Sequence, residues 1–122
     1  MTTNLSIKIG NLELLNPIAV ASGTFGYGEE FNENFYPIKE LGAIFTKGVS
    51  LKAWPGNNMP RVVETASGML NAIGLQNSGV EDFVTKKLPY LKAAGATVIV
   101  NVIGKTIEEY AEVASIIDKE DA

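Results

Sequence analysis

The chain has 122 residues, one ordinary domain's worth, and its 46% hydrophobic and 20% charged residues suit a globular core rather than disorder. Ten basic against fourteen acidic residues leave a net charge of −4, the wrong sign for non-specific nucleic-acid binding. There are no cysteines and no histidines, so disulfides, thiolate nucleophiles, iron–sulfur ligation, Cys-rich zinc sites and the commonest general base are excluded within these residues.

Leu5-Ser6-Ile7-Lys8-Ile9 and Leu12-Glu13-Leu14 alternate apolar and polar residues around Gly10-Asn11, which predicts a β-hairpin. Pro17 to Ala21 is a short continuous apolar run, as expected of a strand buried on both faces, and Ser22-Gly23-Thr24-Phe25-Gly26-Tyr27-Gly28 follows as a turn. A helix in two pieces is predicted from Glu29 to Leu41, interrupted at Pro37 and ended by Gly42. Ala43 to Thr46 is a second buried strand. Ser50 to Glu64, with Trp54-Pro55-Gly56-Asn57 and Met59-Pro60, predicts a loop or hairpin excursion, and Asn71 to Asn77 reads as neither helix nor strand. Ser78 to Glu81 fits a capping box, Pro89 starts a second helical piece, and Gly95 closes it. Thr97 to Val100 is the third buried strand. A second capping box at Thr106 to Glu109 opens a helix whose apolar face holds Ile107, Tyr110, Ala111, Ala114 and Ile117.

A hairpin followed by β-α-β-α-β-α implies parallel pairing with right-handed crossovers. Both a doubly wound sheet and the first part of a (β/α)₈ barrel are open, since a barrel takes about 250 residues. No apolar run approaches the roughly 20 residues of a membrane span, and Met1 to Leu5 shows no secretory signal, so a cytoplasmic protein without membrane contact is expected.

Three predicted strands end in Ser22-Gly23-Thr24, Lys47-Gly48 and Asn101, at the carboxyl ends where α/β folds gather ligand groups. Each also has a purely structural reading. Ser22 could satisfy a turn, Lys47 could lay its stem on apolar neighbours, and Asn101 could cap a turn. Asn71-Ala72-Ile73-Gly74-Leu75-Gln76-Asn77 sets two asparagines about a glycine. Asparagine offers donors and an acceptor to carboxylates and ring amide edges, and glycine allows close backbone approach, although turn chemistry alone would also account for them. Gly23, Gly26 and Gly28 match neither the dinucleotide nor the Walker spacing and read as turn glycines against a flat ligand.

Asn16-Pro17, Ala21 to Gly28, Thr46-Lys47-Gly48, Pro55-Gly56-Asn57 with Pro60-Arg61, Gly68 to Asn77 and Val100-Asn101 together resemble the start of the dihydroorotate dehydrogenases. The Gly-Thr-Phe-Gly-Tyr-Gly and Asn-Ala-Ile-Gly-Leu-Gln-Asn segments are most similar to catalytic subunits of the NAD-dependent class 1B. The resemblance implies the amino-terminal part of a (β/α)₈ TIM barrel: the hairpin plus about three βα units, in one domain over residues 1–122. It implies FMN-dependent oxidation of (S)-dihydroorotate to orotate in pyrimidine (UMP) biosynthesis. It assigns FMN contacts to Ser22, Lys47, Gly48 and Asn101, and substrate contacts to Lys47, Asn71, Ala72, Ile73, Gly74 and Leu75. Electrons would pass to NAD through a partner subunit carrying FAD and a 2Fe–2S cluster, in a homodimer or heterotetramer.

The family's catalytic base is a cysteine in an Asn-x-Ser-Cys-Pro loop after the fourth strand, and no cysteine is present here. No catalytic or metal-binding residue is therefore assigned. The expectation is a truncated barrel, inactive by itself. A non-catalytic α/β binding or interaction module built on the same scaffold is the competing reading.

Overall fold

In the computed structural model, β1 (Ile7–Ile9) and β2 (Leu12–Leu14) pair antiparallel, with Ile7 opposite Leu14. The structure describes residues 3–120; Met1, Thr2, Asp121 and Ala122, on which the readings of the chain ends partly rest, lie outside the described residues. Gly10 supplies the positive φ of 59° that the tight turn requires. Leu14 is the one fully buried residue of this hairpin. Two residues on, Asn16 donates its side-chain amide to Glu40 O at 2.7 Å, which joins the hairpin to the amino end of the sheet.

Five strands follow: β3 (Ala19–Ala21), β4 (Ala43–Phe45), β5 (Val62–Thr65), β6 (Gly68–Asn71) and β7 (Val98–Ile99). β3, β4 and β7 form a parallel sheet in that order, each step made by a helical crossover. β3 begins at Ala19 rather than Pro17 for a local reason. Pro17 has no N–H for a ladder, and the Ile18 N–H is taken by Asn16 Oδ1 at 3.0 Å. Gly42 does not end a helix as expected. It donates to Ile18 O at 2.8 Å, and a Cβ there would collide with the carbonyls of Asn16 and Ile18. Its glycine is required by close main-chain approach.

The strands were expected to be buried on both faces. Among the described residues the burial is uneven: Ala43 and Ile44 are fully buried, whereas Phe45 is 42% exposed and Ala19 and Ala21 are exposed too, so the Ile44 face is covered more completely than the Phe45 face. The covered face carries two clusters. Ile38, Ile44 and Leu91 form one; Val49, Val80, Phe83, Leu88, Val113 and Ile117 form the other, and Val98 packs against both.

β3 runs into α1 (Ser22–Phe25), a short helix where a turn was expected. α2 (Glu29–Asn34) and a 3₁₀ turn at Ile38–Glu40 flank Pro37, so the predicted interruption stands. α3 (Val80–Asp82), a π-helical stretch at Phe83–Lys87 and α4 (Leu88–Ala93) form one continuous run. Pro89 starts no separate helix; with no N–H to give an α-helical rung, it sits where the backbone has loosened into the π turn. Gly95 closes the run at φ 74°.

The first capping box does not form. Gly79 is the cap of α3, and Ser78 instead donates to Asp82 Oδ2 at 2.6 Å. The second forms with a shift: Thr106 Oγ1 accepts from Glu109 N at 3.3 Å at the start of α5 (Ile107–Asp118), but the Glu109 carboxylate takes the N–H of Lys105. The buried face of α5 is Val113 and Ile117, so of the predicted stripe only Ile117 is buried. Ile107 is 83% exposed, and Tyr110, Ala111 and Ala114 also face outward. No helix among the described residues is long and apolar enough to cross a membrane.

Candidate functional site

Each strand of the parallel sheet delivers one polar residue at its carboxyl end. Ser22 follows Ala21 directly as the first residue of α1; Lys47 stands two residues after Phe45, and Asn101 two after Ile99. A Cβ built on Gly23 meets nothing within 4 Å, so the chain here leaves open space against its backbone. Gly48 lies against Ile103, whose Cδ1 would stand 2.9 Å from a Cβ at that position.

The opposite wall is the segment after β6. Its expected description needs one correction: Gly68 to Asn71 is a strand, paired with β5 through Val62 opposite Asn71, and only the residues beyond Asn71 are irregular. Polar braces hold that irregular part. Asn57 donates from its backbone to Ile73 O at 3.0 Å and from its amide to Ala72 O at 2.8 Å. Arg61 Nη2 donates to Gln76 Oε1 at 2.7 Å, while its carbonyl accepts from Ala72 N. Gly74 turns at φ 79°, tight against the Asn57 backbone, and Leu75 follows in the left-handed region at φ 55°.

These elements enclose a cleft of about 640 Å³. Ser22, Lys47, Gly48 and Asn101 line one side, and Asn71, Ala72, Ile73, Gly74 and Leu75 the other, so the structure brings every sequence-predicted site residue to one place. Gly23, Val62, Met69 and Gln76 complete the lining. Val62 and Met69 went unnoticed in the sequence. The signal that finds them is the alternation of the β5–β6 hairpin, which sets Val62, Met69 and Asn71 on one face.

Lys47 is the one charged side chain among the described lining residues, so the cleft is electrostatically suited to an anion. Among the described residues, the Lys47 ammonium, the Ser22 hydroxyl and the side-chain amides of Asn71 and Asn101 make no hydrogen bond or ion pair. The two asparagines of the Asn71–Asn77 segment thus separate. Asn77 is engaged structurally: its Oδ1 accepts from Ser50 Oγ at 2.9 Å and Gly79 N at 2.9 Å, and its amide donates to Leu75 O at 3.0 Å. Asn71 is free to meet a ligand. A smaller hollow of about 410 Å³, walled by Tyr27 and Trp54, adjoins the cleft at Lys47 and Gln76. Burial, followed by the nearby charges of Asp82 and Glu29, raises the Tyr27 hydroxyl above its ordinary pKa, and the ring packs 6.2 Å from that of Phe83. Tyr27 packs against both core clusters.

The family model for dihydroorotate dehydrogenase matches residues 4–121. The chain belongs to the dihydroorotate dehydrogenase family. It is 56% identical over 115 residues to the catalytic subunit of dihydroorotate dehydrogenase B (NAD(+)) of Geobacter sulfurreducens, covering 94% of this chain and 37% of that protein. The catalytic subunit of the same name from Trichlorobacter lovleyi is 52% identical over 118 residues, covering 97% and 38%. The chain therefore spans well under half the length of these relatives. Among solved structures, a dihydroorotate dehydrogenase from Eimeria tenella in complex with ferulenol superposes with a TM-score of 0.63 at 19% identity, over 87% of this chain and 30% of that one. The fold is accordingly that of the amino-terminal part of a dihydroorotate dehydrogenase barrel: a hairpin, then three parallel strands with their helices.

Proposed function

We propose that these residues form the amino-terminal three βα units of a flavin-dependent barrel that oxidises (S)-dihydroorotate to orotate, in pyrimidine (UMP) biosynthesis in the cytoplasm. The observation that carries this reading is the gathering of nine residues, from three strand ends and one braced loop, around a cleft whose lone charge among the described residues is Lys47. The donor set fits FMN. An ammonium, a hydroxyl and an amide, all without protein partners among the described residues, suit the heteroatom edge of a flat ring, and Gly23 leaves its backbone side open. Ser22, Lys47, Gly48 and Asn101 would hold it. When bound, FMN supplies the two-electron acceptor for the substrate's hydride.

The remaining work falls to the chain's own groups. Lys47 neutralises negative charge held in the cleft, and a charge-assisted hydrogen bond of this kind is worth about 1.5–3 kcal/mol. Asn71 presents donors and an acceptor to the substrate's carboxylate or ring amide edge. Ala72 to Leu75 set their backbone against it, in a shape fixed by Asn57 and Arg61. The base that removes the substrate proton is assigned, by family resemblance, to a cysteine loop outside these residues. Electrons would leave for NAD through a partner subunit with FAD and a 2Fe–2S cluster, the whole assembling as a homodimer or heterotetramer.

The test is anaerobic mixing of dihydroorotate with the barrel-length protein loaded with FMN, following flavin absorbance. Bleaching with orotate formation supports the reading, and its absence at saturating substrate overturns it. Residues 1–122 expressed alone should neither retain FMN nor form orotate; measurable orotate from that piece would refute the truncated-barrel account and its separate base.

A further inference from the structure

The parallel ladder between β4 and β7 is regular as far as Thr46. Ile44 N donates to Thr97 O at 2.8 Å and Thr46 N to Ile99 O at 3.0 Å. The next rung of a parallel ladder would carry the Asn101 N–H to the Thr46 carbonyl. It goes instead to the Thr46 hydroxyl, Oγ1, at 3.2 Å, and that hydroxyl donates in turn to Lys47 O at 2.9 Å. The ladder resumes at Val49, whose N–H donates to Asn101 O at 2.8 Å and whose carbonyl accepts from Ile103 N at 3.0 Å. Phe45 faces Ile99, and the resumed pair is Val49 with Val102: four steps along one chain against three along the other. One extra residue therefore bulges out at Lys47-Gly48. A bulge of this kind re-aims side chains and recurs beside active sites.

Resting on the functional reading above, we propose that Thr46 is a positioning residue whose hydroxyl closes this bulge, turning Lys47 and Gly48 into the cleft while holding the Asn101 main chain beside them. Thr46 is 2% exposed and does not line the cleft, so it acts through its neighbours and not on a ligand. Without the hydroxyl the bulge loses the link it makes between the Asn101 N–H and the Lys47 carbonyl, and the turn that aims Lys47 and Gly48 is no longer fixed. The same hydroxyl spares the Asn101 N–H from being left without a partner.

The experiment uses the barrel-length protein with FMN bound. Thr46→Val keeps the shape of the side chain and removes its hydroxyl; Thr46→Ser keeps the hydroxyl. The valine variant is expected to slow flavin reduction by dihydroorotate roughly ten- to hundred-fold, as displaced groups do. It should also speed amide hydrogen exchange at Asn101 by roughly ten-fold, while the serine variant restores both. If Thr46→Val does not fold, Thr46→Cys, whose sulfur is a weak acceptor, carries the same comparison against Thr46→Ser. A valine variant that melts lower yet keeps wild-type reduction and Asn101 exchange overturns the proposal. So does a serine variant as impaired as valine. A wild-type protein whose flavin dihydroorotate does not reduce overturns the functional reading instead, and Asn101 exchange then decides the role of Thr46 by itself.

Discussion

The parallel sheet and the excursion between β4 and α3 are held by different forces. On the sheet, Ile44 is fully buried, packed with Ile38 and Leu91. In the excursion every residue of β5 and β6 is exposed, and the shape comes from side-chain braces by Asn57, Arg61 and Asn77, which donate to backbone carbonyls in all but the Arg61–Gln76 bond. Burial makes a rigid platform but consumes side chains. Bracing through backbone carbonyls fixes a loop while leaving Asn71 unengaged, so this wall of the cleft is built by the second method on top of the first.

Breaking the platform should have the largest effect. Ile44→Ala leaves a cavity between the sheet and α4, and such truncations cost about 2–5 kcal/mol. Thermal unfolding of the barrel-length protein would show it as a lowered Tm; an unchanged Tm would mean that burial does not hold this sheet. Lys47→Ala should do the opposite, leaving Tm near wild type because Lys47 is exposed. Orotate affinity and flavin reduction should fall roughly ten- to hundred-fold, the cost of one charge-assisted hydrogen bond. Equal loss of stability and affinity would erase the distinction between the two regions.

A brace should matter less than the platform. Arg61 contacts Pro55 O at 3.4 Å, Asn57 O at 3.3 Å and Gln76 Oε1 at 2.7 Å. A lysine cannot fork to these three acceptors. Arg61→Lys is expected to lose about 1 kcal/mol, roughly five-fold in orotate affinity by titration, with little change in Tm. A Tm loss as large as that of Ile44→Ala would show Arg61 to be part of the core support.

The platform was legible in the sequence because its signals are local. Apolar runs gave three strands, Pro37 gave the helix interruption, and Thr106 gave a cap. The cleft-lining residues were legible as strand ends and as one glycine-containing loop. What stayed hidden depended on partners distant in the chain. Gly42 looked like a helix end because nothing near it in sequence announces the carbonyls of Asn16 and Ile18. Asn71 and Asn77 looked equivalent until Ser50 and Gly79 claimed one of them. The apolar stripe on α5 was right at Ile117 and wrong at the rest, since Val113 and not Tyr110 joins Ile117 in the core. Val62 and Met69 joined the cleft only through the hairpin register.

Leu75 gives the finest test of the contrast, because there stability and function should move apart. Its φ of 55° is a conformation that costs an L-residue roughly 1–2 kcal/mol and costs glycine almost nothing. Its side chain is 58% exposed, so little burial is lost on removal. Leu75→Gly therefore relieves strain in the folded state while adding freedom to the unfolded chain, an opposing term of about 0.4–1 kcal/mol. The two nearly offset, and Tm should stay within a few degrees of wild type, consistent with a net change of about 1 kcal/mol or less. Binding should not be spared. A glycine loop samples more backbone states, and ordering it again at the moment of binding lowers orotate affinity several-fold. Calorimetry and an orotate titration on the same preparation read both quantities. A large drop in Tm would place Leu75 with the buried platform; unchanged affinity would show that the left-handed turn contributes nothing to the ligand wall.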